Sequence, residues 1–227
     1  MSAPTGKDPR GVTPSGAWPR DVDTALAEQR RLRQQLLLSD RLGPVNFVAG
    51  VDVGFPRPDC ARAAVVVLRY PDLTLCEQVV IEQQVDFPYR TGLLAYRELP
   101  AVLAAVARLS TQPNLFLCDG QGTAHPRRFG IACHLGVLLD CAAIGVGKTR
   151  LSGRYQQLGE QRGARAPLMV ADEQVGYALR SRQGCNPLYV SAGHRISQES
   201  AAEWVMRCCR QFKLPETTRC AHRLASG

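Results

Sequence analysis

Three early segments are rich in apolar and β-branched residues and predict β-strands over residues 46–55, 61–70 and 73–83. Short turns that contain Pro or Asp join these segments, so an antiparallel meander is the simplest pairing. A charged segment that begins at Asp21 precedes them, and its apolar residues fall near one face of a predicted helix.

The second half of the chain alternates between strand and helix patterns. Residues 93–109 predict a helix, with a kink or break at Pro100, just after Glu98. Alternation continues to the last predicted helix and favours crossover connections in a mostly parallel half-sheet. We therefore predict an α/β fold in which a mixed central sheet, an antiparallel meander plus parallel strands, is flanked by helices. This order fits a ribonuclease H-like fold.

The domain organisation follows from composition. Residues 1–20 are dense in Gly, Pro and Ser and have no hydrophobic period, so we expect a flexible N-terminal tail. The chain has 227 residues, of which 45% are hydrophobic. This length favours one core, and residues 21–227 are predicted to form one domain.

Charge and cysteine content narrow the class of protein. The net charge of +8 suits a polyanionic partner such as nucleic acid. The nine cysteines form an odd set without CxxC pairs and lie mostly in apolar segments, which disfavours a zinc or redox-active cysteine protein and indicates reduced, buried thiols. No segment reaches the roughly 20 apolar residues of a membrane span, so we expect a cytoplasmic protein without a membrane partner.

Two aspartates are the strongest candidates for chemistry. Asp52 lies in the middle of the first apolar strand, where an isolated carboxylate would be costly, and Asp119 ends the strand at 115–119. If these strands are neighbours, both carboxylates can share one or two divalent cations, and oxygen ligands favour Mg²⁺ or Mn²⁺. Asp119 is also compatible with a plain Asp–Gly turn.

Other polar residues are ambiguous on local pattern alone. Glu98 is a third candidate ligand, but a helical Glu beside Arg97 is typical of a solvated surface. His125 lies in "HPRR", which has the pattern of a surface turn. Lys148 follows a strand and glycines but lacks the spacing of a nucleotide-binding P-loop.

Six blocks of sequence, taken in order, resemble the endonuclease V family, the deoxyinosine 3′ endonucleases of DNA repair. They are "VAGVDVGF", "FPYRTGLLAYRELPAVL", "CDGQGTAHPRRFGIACHLGVL", "IGVGKTRL", "CNPLYVSAGHRIS" and "LPETTRCAH". The resemblance implies a ribonuclease H-like fold. It also implies a Mg²⁺-dependent deoxyribonuclease, with Mn²⁺ as a substitute, that cuts the second phosphodiester bond 3′ to a deaminated purine and leaves a 3′-hydroxyl and a 5′-phosphate.

The resemblance also assigns roles residue by residue. The catalytic set would be Asp52, Glu98, Asp119, His222 and Lys148, with Asp52 and Asp119 as the metal ligands. Four residues would contact DNA or the lesion: Tyr89 as a wedge, Gly92 and Gly120 in the pocket for the base, and His125, with Lys148, at the scissile phosphate.

Three positions depart from the family pattern. Thr91 replaces the second proline of the wedge loop, Gln121 stands where several relatives carry His, and Gly147 stands where Ala is usual. None is an expected metal ligand, so these departures bear on lesion preference.

Several alternatives remain open. The partner is expected to be deoxyinosine-containing DNA, single- or double-stranded, but the same fold could cut inosine-containing RNA or mismatched and branched DNA. A nucleic-acid-binding module without catalysis is a further alternative, which the intact Asp52, Glu98 and Asp119 disfavour. The resemblance implies a monomer.

Overall fold

The computed structural model describes residues 18–227, which form five helices and eight strands. The helices are α1 (Val22–Arg33), α2 (Ala95–Ala107), α3 (Ile131–Leu139), α4 (Gln198–Cys208) and α5 (Glu216–Ser226). The strands are β1 (Phe47–Arg57), β2 (Cys60–Arg69), β3 (Thr74–Gln84), β4 (Leu115–Asp119), β5 (Ala142–Gly147), β6 (Arg165–Val170), β7 (Glu173–Leu179) and β8 (Leu188–His194).

One mixed sheet contains all eight strands in the order β3-β2-β1-β4-β5-β8-β7-β6. The predicted meander is confirmed, because β1 pairs antiparallel with β2, and β2 with β3. The predicted neighbours β1 and β4 are parallel and adjacent, and β5 extends the parallel part. The predicted mixed α/β sheet flanked by helices is therefore correct.

The prediction of a mostly parallel second half is wrong. Strand β8 pairs antiparallel with β5, and β7 and β6 continue in antiparallel pairing. The sequence pattern did not predict β7. Strands β6 and β7 form a hairpin with a turn at Ala171 and Asp172, and Ala171 has φ +49°. A turn this short can join only antiparallel neighbours.

The predicted break at Pro100 does not occur, since α2 runs through Pro100 as one helix. Pro100 cannot donate the usual bond to the carbonyl four residues earlier, that of Tyr96. The indole Nε1 of Trp18 donates to that carbonyl at 2.9 Å and so replaces the missing donor. Trp18 falls in the segment predicted as a tail. Residues 1–17 of that tail lie outside the described residues, and their flexibility stays a prediction.

Helices cover both faces of the sheet. One apolar core joins residues of α2 and α3 to β1, β2 and β4, and a second joins residues of α4 and α5 to the opposite face. Within residues 18–227, no helix is long and apolar enough to cross a bilayer.

Helix α5 approaches β1 at two glycines that lie on one face of the strand. A Cβ on Gly50 would lie 2.0 Å from the Thr217 carbonyl oxygen, and one on Gly54 would lie 2.2 Å from that of Ala225. Asp52 lies between these glycines on the same face, because side chains alternate along a strand. The glycines therefore allow α5 to pass directly over Asp52.

We expect Gly50→Ala to lower stability by about 1–3 kcal/mol, because the new methyl group must push α5 away from β1. The matched control is Gly43→Ala, since a Cβ there meets nothing within 4 Å. Urea unfolding of both variants checks the prediction. Equal midpoints for the two variants would show that the close approach of α5 is not tight.

Candidate metal centre and adjoining pocket

The parallel register of β1 and β4 brings Asp52 and Asp119 together. Val51 pairs with Cys118, and the two aspartates are the next residue on each strand. Asp52 is 9% exposed, and its Oδ1 accepts a bond from the Val53 N–H at 2.8 Å. The meeting of two carboxylates that the sequence predicted is thus present at the end of β4.

Helix α5 and the segment after β5 add two basic side chains. His222 Nδ1 lies 2.6 Å from Asp52 Oδ2, and Lys148 Nζ forms an ion pair with the carboxylate of Asp119. Lys148 Nζ also lies 3.3 Å from His222 Nδ1. The four side chains therefore form one connected polar cluster.

Burial and mutual repulsion set the protonation of the acidic groups. The pKa of Asp119 is raised, chiefly by burial and next by the charge of Asp52, while Lys148 opposes the rise. The pKa of Glu98 is held well above its ordinary range by burial and by the charges of Asp52 and Asp119. Glu98 is therefore part of the same electrostatic site, and the solvated-surface reading of it is wrong, since it is only 9% exposed.

The donor set fits a divalent cation. One ligand atom each from Asp52, Asp119 and His222 lies within 4.8 Å of the others. Two carboxylates suit a hard cation such as Mg²⁺ or Mn²⁺, and a cation would relieve the repulsion that raises the pKa of Glu98 and Asp119. Among the described residues, this cluster of possible ligands does not include Glu98.

A pocket of about 190 Å³ opens beside the acidic cluster. Its wall contains every residue predicted to contact the lesion together with two of the acidic residues: Tyr89, Gly92, Glu98, Asp119, Gly120 and His125. Tyr89 is 68% exposed at this pocket. The pocket therefore shares Asp119 with the ligand cluster, and it also contains Glu98 of the same electrostatic site.

His125 belongs to the wall of this pocket and is not a surface residue. It is buried, and its pKa is lowered to about 4 by burial and then by the charge of Arg127. His125 is therefore neutral at physiological pH. Its Nδ1 accepts a bond from the Arg127 N–H at 3.2 Å, which leaves the proton on Nε2, on the side of Gly92. Its role at the scissile phosphate stays a prediction.

Two of the departures from the family pattern fit each other. A Cβ on Gly147 would lie 2.2 Å from Nε2 of Gln121, so the Gln121 amide fills the space that an alanine methyl would need. The same Nε2 donates to the Thr149 carbonyl at 3.0 Å. Gln121 therefore links the turn after β4 to the segment that carries Lys148.

Sequence reasoning missed further residues of the pocket. Phe129, Ile131 and Leu151 line it, and Gln29 and Arg127 support it from behind. Gln29 is a polar position on an amphipathic helix, which predicts exposure, yet it is 2% exposed. The signal that could have found it was its place on the helix face that carries Ala25 and Leu32, which alone does not distinguish it from surface glutamines.

The family comparison agrees with the geometry. The model of the endonuclease V family matches residues 30–223, and an endonuclease V of Nostoc punctiforme is 50% identical over 212 residues, covering 92% of this chain and 96% of the relative. The chain belongs to the endonuclease V family. The endonuclease V resemblance read from the six sequence blocks is confirmed.

Solved structures of endonuclease V share the fold. The Streptomyces avermitilis enzyme is 41% identical with a TM-score of 0.88, and the alignment covers 94% of each chain. Endonuclease V of Ciona intestinalis is 26% identical with a TM-score of 0.77, covering 90% of this chain and 95% of that one. The Ciona structure is a complex with a 23mer DNA that contains an inosine followed by a ribo-adenosine.

Glu98→Gln is expected to stabilise the metal-free protein at neutral pH. The unfolded chain ionises Glu98 near its ordinary pKa of 4.5, whereas the folded protein keeps the proton to higher pH. Between these two values the folded state binds more protons, so stability falls as pH rises, and the neutral amide removes this loss. Each kcal/mol gained should raise Tm by roughly 2–4 °C in a chain of this size.

Thermal melting in EDTA across a pH series measures this effect. Glu77→Gln is the control with the opposite sign, because backbone N–H bonds, that of Ser110 first, lower the pKa of Glu77. An unchanged pH profile in Glu98→Gln would contradict the assignment of Glu98 to the buried acidic site.

Proposed function

We propose that the chain is a divalent-metal-dependent DNA repair endonuclease that recognises deoxyinosine and hydrolyses the second phosphodiester bond on its 3′ side. The observation that carries the proposal is the cluster of Asp52, Asp119 and His222 beside a pocket lined by Tyr89 and Gly92. The family relationship supports the nuclease activity, and the Ciona complex with inosine-containing DNA supports the choice of lesion.

Hydrolysis requires an attacking water and a stabilised leaving oxygen. Asp52 and Asp119 would hold Mg²⁺ or Mn²⁺, and the cation would supply positive charge to the attacking water and to the leaving oxygen. Breaking the P–O3′ bond leaves a 3′-hydroxyl and a 5′-phosphate. Lys148 offers a further positive charge to the phosphate oxygens, and His222 would hold or donate a proton near the 3′ oxygen. Glu98 would complete or orient the ligand shell from α2.

Recognition would use the pocket. Extruding a base from the DNA helix costs a few kcal/mol of free energy. The cost is lowest where pairing is already weak, as at a deaminated purine. The exposed ring of Tyr89 can fill the vacated space by stacking. Backbone groups at Gly92 and Gly120 can then read the edge of a 6-keto purine, because an unmatched adenine would leave polar groups unpaired.

The net charge of +8 supports a nucleic-acid backbone as the partner, because lysines and arginines release counterions when they neutralise phosphates. This contribution is independent of sequence and damage. Affinity for DNA and selectivity for the lesion therefore come from different parts of the protein.

Inosine-containing RNA is the second candidate substrate. The DNA in the Ciona complex carries a ribo-adenosine directly after the inosine, so a family member accommodates a ribose beside the lesion. A protein that reads the base and the phosphate accepts either sugar unless a group near the 2′ position excludes it. Matched DNA and RNA strands with one inosine distinguish the two candidates.

The proposal predicts a single nick in a duplex with one deoxyinosine, seen in Mg²⁺ and abolished by EDTA. Asp52→Asn should lower the rate by at least roughly 100-fold, because one metal ligand loses its charge while its shape is kept. A gel that resolves both strands, with labelled termini, gives the position and the strand of the cut. Full activity in EDTA, or an active Asp52→Asn variant, would contradict the metal-dependent mechanism.

Tyr89→Ala is expected to lower discrimination between inosine and adenine duplexes by roughly tenfold while leaving Mg²⁺ affinity unchanged. The physical reason is that the stacking surface acts on the DNA and does not contact the acidic cluster. Discrimination is measured by competition between inosine and adenine duplexes for binding. Cleavage is prevented either by replacing Mg²⁺ with Ca²⁺ or by adding the Asp52→Asn substitution. Phe212→Ala, which removes another exposed aromatic ring outside the pocket, is the control.

A further inference from the structure

A buried glutamine joins two walls of the pocket from outside. Gln29 lies on α1, and its Nε2 donates to the carbonyl oxygens of Phe129 at 2.9 Å and Gly92 at 3.2 Å. Gly92 and Phe129 both line the pocket but belong to segments that are distant along the chain. One carboxamide therefore ties the loop that carries Tyr89 to the segment before α3.

Arg127 completes this connection. Its Nε donates to Gln29 Oε1 at 2.5 Å, and its Nη2 donates to the Gly92 carbonyl at 2.5 Å. The Gly92 carbonyl thus accepts bonds from both Gln29 and Arg127. Both acceptors of Arg127, the Gly92 carbonyl and Gln29 Oε1, are neutral. Burial lowers the pKa of Arg127, and its bonds to Gln29 and Gly92 are made to neutral oxygens and not to a carboxylate.

Gly92 shows how closely the loop is held. It has φ +79°, and a Cβ would lie 2.6 Å from Arg127 Nη2 and 3.2 Å from His125 Nε2. Only glycine fits both this backbone conformation and this approach. The loop is therefore fixed at Gly92, while Tyr89, three residues earlier, is exposed.

We propose that Gln29 and Arg127 are positioning residues that set the separation of the pocket walls and thereby determine selectivity for the base. The proposal rests on the proposed function. Neither side chain belongs to the cluster of Asp52, Asp119 and His222, so we expect the hydrolytic centre to stay intact when the pair is lost. Polar groups in the wall discriminate between bases only while their positions are fixed, because a wall that relaxes can adapt to the wrong edge.

Charge must be separated from positioning in any test. Arg127 lines a second groove with Arg30 and Arg33, so Arg127→Ala also removes a positive charge that could contact phosphate. Arg30→Ala removes the same charge from the same groove and leaves both bonds to Gly92 in place. Gln29 is neutral, so Gln29→Ala changes the walls without changing the charge.

Gln29→Glu is the sharper variant. The carboxylate keeps the size of the side chain and an acceptor for Arg127, but it places an oxygen against the carbonyls of Gly92 and Phe129 where an N–H was donated. A role that depends only on filling space predicts a mild effect for Gln29→Glu. A role in holding the two carbonyls predicts an effect at least as large as that of Gln29→Ala.

The experiment measures KM and kcat in Mg²⁺ for duplexes with inosine or adenine at one position. We expect Gln29→Ala, Gln29→Glu and Arg127→Ala to raise KM for the inosine duplex and to lower the inosine-to-adenine ratio of kcat/KM by roughly tenfold, with kcat on inosine nearly unchanged. Arg30→Ala should weaken binding to both duplexes equally and keep the ratio.

The outcomes distinguish a failure of the proposed function from a failure of the positioning role. Wild-type protein that fails to prefer inosine would overturn the proposed function itself. Wild-type preference retained in all three variants would overturn the positioning role alone. An equal loss of kcat on both duplexes, accompanied by a lowered Tm, would also overturn it, because that result is the signature of a merely structural role.

Discussion

Repulsion between buried carboxylates is the constraint on which the site depends. Asp52 and Asp119 end up side by side because β1 and β4 are parallel and in register, and Glu98 adds a third acid from α2. Asp52 and Glu98 are buried and the Asp119 side chain is only 13% exposed, so water screens the repulsion poorly. The Lys148 ammonium group offsets part of the charge, His222 Nδ1 contacts Asp52, and a divalent cation would offset the rest. The fold therefore holds a deficit of positive charge at one place, which would be the physical basis of the metal affinity that the proposed function requires.

The elements that supply this site come from both faces of the sheet. Helix α5 brings His222 across one face, and it can do so because Gly50 and Gly54, on either side of Asp52, place no side chain of their own between helix and strand. Helix α2 belongs to the core on the other face and carries Glu98. Trp18 stabilises α2 at Pro100 by supplying a donor to the Tyr96 carbonyl. Chain segments far apart in sequence thus determine where three acids meet.

The sequence predicted the parts of this arrangement that have a local physical signature. A charge inside an apolar strand identified Asp52, and a carboxylate at a strand end identified Asp119. Glu98 and His125 have no such signature, because a helical Glu and a His before Pro are common on surfaces. Glu98 was therefore an ambiguous candidate, and only the resemblance to a family gave the two residues their roles. The pairing of β5 to β8 and the hairpin of β6 and β7 were also missed, since strand direction depends on tertiary contacts that the apolar pattern does not encode.

The groups proposed for hydrolysis and those proposed for recognition are fixed in place by different kinds of structure. Asp52 and Asp119 are fixed by strands β1 and β4, whose backbone bonds leave little freedom, and such rigidity suits ligands of a cation. The pocket wall at Gly92 lies in a loop, which by itself would be mobile, and the bonds from Gln29 and Arg127 supply the rigidity that secondary structure does not. Under the positioning role proposed for Gln29 and Arg127, selectivity would change through residues outside the pocket wall. Gln121 of the pocket wall depends in the same way on a residue outside the wall, because a side chain at position 147 would collide with the Gln121 amide.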